Sequence, residues 1–146
     1  MAIPSRTAKS GTYFITTATH NRRRLFQVER NAELLLETID HYRDSYLLHA
    51  YVVMPDHVHL LITPIEITLE RAMQLIKGGF SHRLSSKLPV WQRGFTDHRI
   101  RDAADYSVRL NYIHRNPVEA RLSETPEAYP YSSANLRIKL DEYLSG

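Results

Sequence analysis

The stretch HAYVVMPDHVHLLIT, residues 49–63, decides the fold. Residues 49–54 and 57–63 are two runs of strand-forming side chains, and Pro55-Asp56 between them are favoured turn residues. The stretch is therefore predicted as two strands joined by a tight turn. Side chains alternate across a strand, which sends His57 and His59 to one face and Val58, Leu60 and Ile62 to the other.

Working outward, residues 12–19 (TYFITTAT) read as a first strand, followed by the basic loop HNRRR at 20–24. Residues 29–46 carry Ala32, Leu35, Leu36, Ile39, Tyr42 and Tyr46 on one helical stripe. After the hairpin, residues 67–87 are predicted helical, with Leu69, Ala72, Met73, Ile76, Phe80 and Leu84 in register. Gly78-Gly79 inside that helix either weakens it or marks a close backbone contact. A loop holding the only tryptophan, Trp91, leads to a short fourth strand over 95–100. A third helix spans 103–116 and is expected to stop before Pro117, which disfavours helical geometry in the residue preceding it. Residues 118–146 form a C-terminal tail with turn signals at Pro126 and Pro130 and room for one short helix. The order β-α-β-β-α-β is the α+β, ferredoxin-like split βαβ pattern, an antiparallel sheet with two helices on one face and an additional helix left over. No repeat or linker divides residues 1–146, so a single domain is expected.

Apolar content of 42% and charged content of 24% are those of a globular protein. The absence of cysteine excludes disulfides and thiolate metal sites, leaving nitrogen and oxygen donors for any metal. No apolar run is long enough for a membrane span or a signal peptide, so a cytoplasmic location and no membrane partner are expected. The net charge is only +3, but it is unevenly spread. Arg6, Lys9, Arg22, Arg23 and Arg24 stand without an acid in residues 1–24. Arg71, Lys77, Arg83, Lys87, Arg93, Arg99 and Arg101 face only Asp97 in residues 71–101. Two basic blocks that converge suit a phosphate backbone; the same blocks also serve as solvated faces.

Two local patterns bear on chemistry. His57 and His59, side by side on one sheet face, are placed to share a divalent metal, or else to sit as two solvated imidazoles. Tyr112 and Asn116 lie four apart on the third helix, hence on one face. Tyr112 points away from the apolar stripe of Tyr106, Leu110 and Ile113. It is either available for reaction or an ordinary surface tyrosine, and Asn116 before proline is also a good helix end. Taken together the patterns fit one chemistry. A phenol with a pKa of about 10 attacks a phosphodiester poorly unless the developing charge is stabilised, as a metal would do.

The segments YVVMPDHVHLLITP (51–64), WQRGFTDHRIR (91–101) and YIHRNPVEA (112–120), in that order, resemble those of the REP-associated tyrosine transposases, a branch of the single-tyrosine HUH transposases. The resemblance implies that His57, His59 and Asn116 are metal ligands, that the metal is Mg or Mn, and that Tyr112 on a catalytic third helix is the nucleophile. It implies a single-stranded DNA endonuclease and strand transferase acting on hairpin DNA through a 5′-phosphotyrosine link, as a monomer or homodimer. Arg22, Arg23, Arg24, Lys77, Arg83, Trp91, Arg93, Arg99 and Arg101 are the candidate DNA contacts. A catalytically silent hairpin-binding protein is the alternative function. An RNA-binding domain of the same topology would instead place stacking aromatics where His57 and His59 stand.

Overall fold

A computed structural model describes residues 11–144 of the chain, so Arg6 and Lys9 of the first basic block lie outside the described residues. Four strands, β1 (Tyr13–Ala18), β2 (Tyr46–Met54), β3 (His57–Pro64) and β4 (Thr96–Arg99), form one antiparallel sheet in the order β2-β3-β1-β4. Helix α1 (Glu29–His41) links β1 to β2, α2 (Leu69–Leu84) links β3 to β4, and α3 (Ala103–Glu119) follows β4. This is the expected split βαβ order with its extra helix.

Strands β1, β2 and β3 are buried on both faces, which is why β2 reads as a nearly unbroken apolar run rather than an alternating one, while β4 is largely exposed. One face carries Ile15, Tyr51, Val53, Leu60 and Ile62 against Leu35, Ile39, Met73, Ile76 and Phe80 of α1 and α2. The other carries Phe14, Ala50, Val52, Met54 and Leu61 against Ile113 of α3 and Tyr129 of the tail. Fully burying a side chain of this size contributes roughly 1.5–3 kcal/mol, so both layers add to the stability of the sheet between them. A one-residue register shift at His49 lets Leu48 and Ala50 serve opposite layers, as a β-bulge does.

Local chemistry sets both ends of α2 and the start of α3. Thr68 caps α2 by accepting from the Arg71 N–H, and Ser85 closes that helix in the left-handed region. Asp102 caps α3 by accepting from the Asp105 N–H. Three predicted boundaries differ from this. The first helix ends at His41; Tyr42 caps it and Tyr46 opens β2, where its hydroxyl donates back to the Ile39 carbonyl. The helical spacing of Tyr46 is thus coincidental: its burial comes from a strand. The second helix runs from Leu69 to Leu84 rather than over 67–87, bounded by its caps Thr68 and Ser85. The third does not stop at Asn116. Pro117 is accommodated within it, buried, and the following turn is closed by the Ala120 N–H to the Asn116 carbonyl and the Leu122 N–H to the Pro117 carbonyl.

The tail returns along the outer edge of β2. The Val53 N–H donates to the Tyr131 carbonyl, the Tyr51 N–H to Ser133 Oγ, and the Asp141 N–H to the Leu48 carbonyl. These bonds cover an otherwise open sheet edge. Its described part holds two short 3-10 turns, Pro126–Ala128 and Ser133–Asn135.

Candidate active site

The hairpin and β1 place the two histidines. His59 pairs with Thr16 across the sheet and His57 with Ala18, so both rings rise on the α3 face, with centroids 4.9 Å apart. Each ring is fixed through its Nδ1. His57 Nδ1 lies 2.8 Å from Asp56 Oδ1, and His59 Nδ1 lies 2.9 Å from Thr16 Oγ1. His59 is 4% exposed, and its buried Nε2 has no hydrogen-bond partner among the described residues. Burial, reinforced by the neighbouring His57, lowers its pKa to about 3. The ring is therefore neutral at ordinary pH. With its proton on Nδ1 toward Thr16, Nε2 keeps a free lone pair, the form a metal ligand takes.

Asp56 joins a second element to this cluster. Its Oδ2 accepts from Arg22 Nε at 3.1 Å, tying the β1–α1 loop to the hairpin turn. Burial opposes its charge, but hydrogen bonds from His57 and Arg22 outweigh that and hold its carboxyl below the usual range. The loop adopts left-handed backbone at Asn21 and Arg22, with φ of 54° and 53°.

Helix α3 brings the tyrosine. Tyr112 is 50% exposed, yet one side of its ring meets His59 edge-on at 5.2 Å and Phe14 at 5.9 Å. Tyr112 lies off the stripe of Tyr106, Leu110 and Ile113, between the sheet and solvent, and the ring contacts it makes are with sheet residues. Asn116, half-buried, follows one turn later on the same side of α3. Among the described residues no group of three or more His, Asp or Glu side chains is set to hold a metal. A cation at His57 and His59 would need a neutral oxygen donor such as Asn116, with the remaining positions open to a substrate phosphate.

The other candidates separate by role. Arg24 and Arg93 are exposed. Arg23 donates to the Pro89 carbonyl at 2.8 Å. Lys77 donates to the carbonyls of Gln92 and Gly94, and Trp91 packs on Phe26 and Phe80 while its Nε1 donates to the Lys77 carbonyl. Lys77 and Trp91 are thus occupied in holding the α2–β4 loop. Arg83 lies over the Tyr42 ring in the α1–α2 layer, on the far side of the sheet from the histidines. Arg99 and Arg101 line a cavity of about 370 Å³ beside His49 and Tyr143.

Sequence reasoning missed Phe14, Thr16, Asp56, Asp105 and Arg109. Phe14 stacks on His59 with centroids 5.2 Å apart. Asp105 is a buried carboxylate that accepts from His98 Nε2 at 2.8 Å and the Arg101 N–H at 2.9 Å. Those bonds, the backbone one foremost, lower its pKa to about 2. Its spacing to Tyr112 and Asn116 was readable, but nothing in the sequence alone said that this side of the helix meets the sheet.

A sequence profile described as transposase, IS200-like, matches residues 7–116. A REP-associated tyrosine transposase of Escherichia coli strain K12 is 31% identical, with 86% of this chain and 77% of that protein covered. A Haemophilus influenzae relative given the same family name is 29% identical over 92% of this chain and 86% of its own length. Among solved structures, that of a REP-associated tyrosine transposase bound to a REP hairpin superposes with a TM-score of 0.79 at 25% identity, covering 100% of this chain and 96% of the other.

Proposed function

The chain belongs to the REP-associated tyrosine transposases of the IS200-like transposase family, and on that premise we propose that it cleaves and transfers single-stranded DNA at the foot of a hairpin, with Tyr112 as nucleophile. The observation that carries the reading is the meeting of Tyr112 on α3 with His59 on β3, ring against ring at 5.2 Å. Two sequence-distant groups suited to one phosphoryl transfer share a half-open face.

In the reaction Tyr112 Oη attacks the phosphorus of a phosphodiester. The Oη–P bond forms, the P–O3′ bond breaks, the phenol gives up its proton to solvent, and the departing 3′-oxygen takes one up. The DNA is left with a 5′-phosphotyrosine ester and a free 3′-OH, and the stored ester permits rejoining without a nucleotide cofactor. His57, His59 and Asn116 are the residues that would hold a divalent Mg or Mn ion. The buried, unpartnered Nε2 of His59 and the fixed Nδ1 atoms of both rings fit that role. When bound, such an ion polarises the phosphate and offsets its developing charge. The chain's own part is positional: Thr16 and Asp56 set the two rings, and α3 sets the angle of attack. Arg22, Arg24, Arg93, Arg99 and Arg101 are the candidate phosphate grips, in a cytoplasmic setting. Tyr112 packs on the histidine of its own chain, which supports action as a monomer, with a homodimer as the alternative.

The test is covalent capture. Labelled single-stranded hairpins from DNA flanking the gene are incubated with the protein, or with Tyr112→Phe, and Mn or Mg, then run on a denaturing gel. A metal-dependent protein–DNA band that disappears in the variant is expected. Binding without a band, across substrates and both metals, would move the assignment to a catalytically silent hairpin-binding protein.

A further inference from the structure

Helix α3 presents Asp105, Arg109, Tyr112 and Asn116 at spacings of four, three and four, one continuous seam of the helix. Three of these have been placed; Arg109 has not. Its guanidinium lies over the Phe14 ring at 5.2 Å, and Phe14 in turn touches both His59 and Tyr112. Its Nε stands 3.6 Å from Asp105 Oδ1, close enough to orient the group but outside hydrogen-bonding range. That Nε is buried without a hydrogen-bond partner among the described residues, although the side chain is still 34% exposed. Asp105 is itself fixed by His98 and the Arg101 N–H. A purely structural arginine in so anchored a setting would be expected to spend its donors on protein acceptors.

We propose that Arg109 binds the phosphate that Tyr112 attacks, held for it by Asp105 and the face of Phe14. The proposal deepens the tyrosine-transferase reading and rests on it. A planar guanidinium with several donors matches a phosphodiester, and its place one turn before Tyr112 puts positive charge beside the reacting atoms. Asp105 and Phe14 are positioning residues that limit how far the guanidinium can swing.

The experiment compares the full chain with Arg109→Gln, Arg109→Lys and the control Arg115→Gln. Arg115 lies outside this seam, exposed and paired with Glu119 at 3.5 Å. Two readouts are taken: hairpin affinity as a function of salt, by fluorescence anisotropy, and the rate of Tyr112–DNA adduct formation. Arg109→Gln should lower the slope of log affinity against log salt by about one and slow adduct formation on the order of 100-fold. Lysine should restore the slope and part of the rate, and Arg115→Gln should change neither. An unchanged slope and rate in Arg109→Gln overturns the proposal. So does a loss that parallels a fall in melting temperature and that lysine does not rescue. If the unmodified chain binds hairpins but forms no adduct, the nuclease reading fails while the salt slope still decides whether Arg109 meets phosphate. If it binds no DNA at all, both fall.

Discussion

Thr16 and Asp56 are short side chains that fix longer ones. Each engages a histidine through Nδ1 and leaves the opposite ring nitrogen for other work. Partners of this kind govern the tautomer and basicity of a ligating imidazole, and losing one typically costs 10- to 100-fold in metal affinity. Thr16→Val keeps the shape and removes only the hydroxyl, so Mn affinity by isothermal titration should fall by about 10-fold or more with little change in melting temperature. Asp56→Asn should weaken Mn binding in the same direction and also loosen Arg22, whose ion pair at 3.1 Å ends on the same carboxylate. Unaltered Mn affinity in both variants would show that Thr16 and Asp56 do not set the two imidazoles for a metal. Neither residue stood out in the sequence. Thr16 is one threonine among several in a strand, and Asp56 serves equally well as a turn residue.

At the scale of elements, the paired glycines of α2 differ although they are adjacent. A methyl added at Gly78 meets nothing within 4 Å, whereas one at Gly79 would stand 2.8 Å from the Tyr42 ring and its hydroxyl. Gly78→Ala should therefore raise stability by up to about 1 kcal/mol through helix propensity alone. Gly79→Ala should gain less or lose, because Tyr42 must move; urea denaturation with equal m-values separates the two. Equal gains would show that the Tyr42 contact constrains nothing. The two open readings of this pair thus divide between its members: the second marks a close contact, the first a tolerated weakness. Helix α3 gives the matching lesson for proline. The pattern puts a boundary before Pro117, but the ring is buried and only two helical residues follow it, so a single missing N–H does not end the helix.

For the molecule as a whole, the tail and the sheet share a titratable centre at His49. Its Nδ1 lies 2.8 Å from the Asp141 carbonyl oxygen and its Nε2 2.8 Å from Thr63 Oγ1. Tyr106 and Tyr143, stacked on each other, border the ring, and Arg43 is the nearby cation. Burial, the largest influence, lowers its pKa below the ordinary 6.5, and burial does the same at His114, whose Nε2 meets Ser133. The folded state thus holds these protons less tightly than the unfolded chain. Their contribution to stability is complete above about pH 6.5 and is lost as pH falls below it. Melting temperature should drop between about pH 7.5 and 5, and His49→Gln should flatten that drop. An identical pH profile in the variant would show that His49 is not a source of it. Asp105, held down to about 2, works in the acidic range: its contribution is present above pH 3.8 and lost only as pH falls toward 2.

The sequence by itself determined the order of the elements, the shared face of His57 and His59, and the shared face of Tyr112 and Asn116. Each of these rests on periodicity within a single element, set by backbone geometry. Helix ends were less legible where packing chose them, as at Tyr46, which keeps helical spacing yet is buried from a strand. Only the tertiary structure decided that the Tyr112 face of α3 lies against the His59 face of the sheet. It also decided that Phe14, Asp56, Asp105 and Arg109 complete the surroundings, and that Lys77 and Trp91 are engaged elsewhere. Those outcomes depend on how one element docks on another: the apolar run of β2 signals burial on both faces, but no local pattern says which helix covers which face.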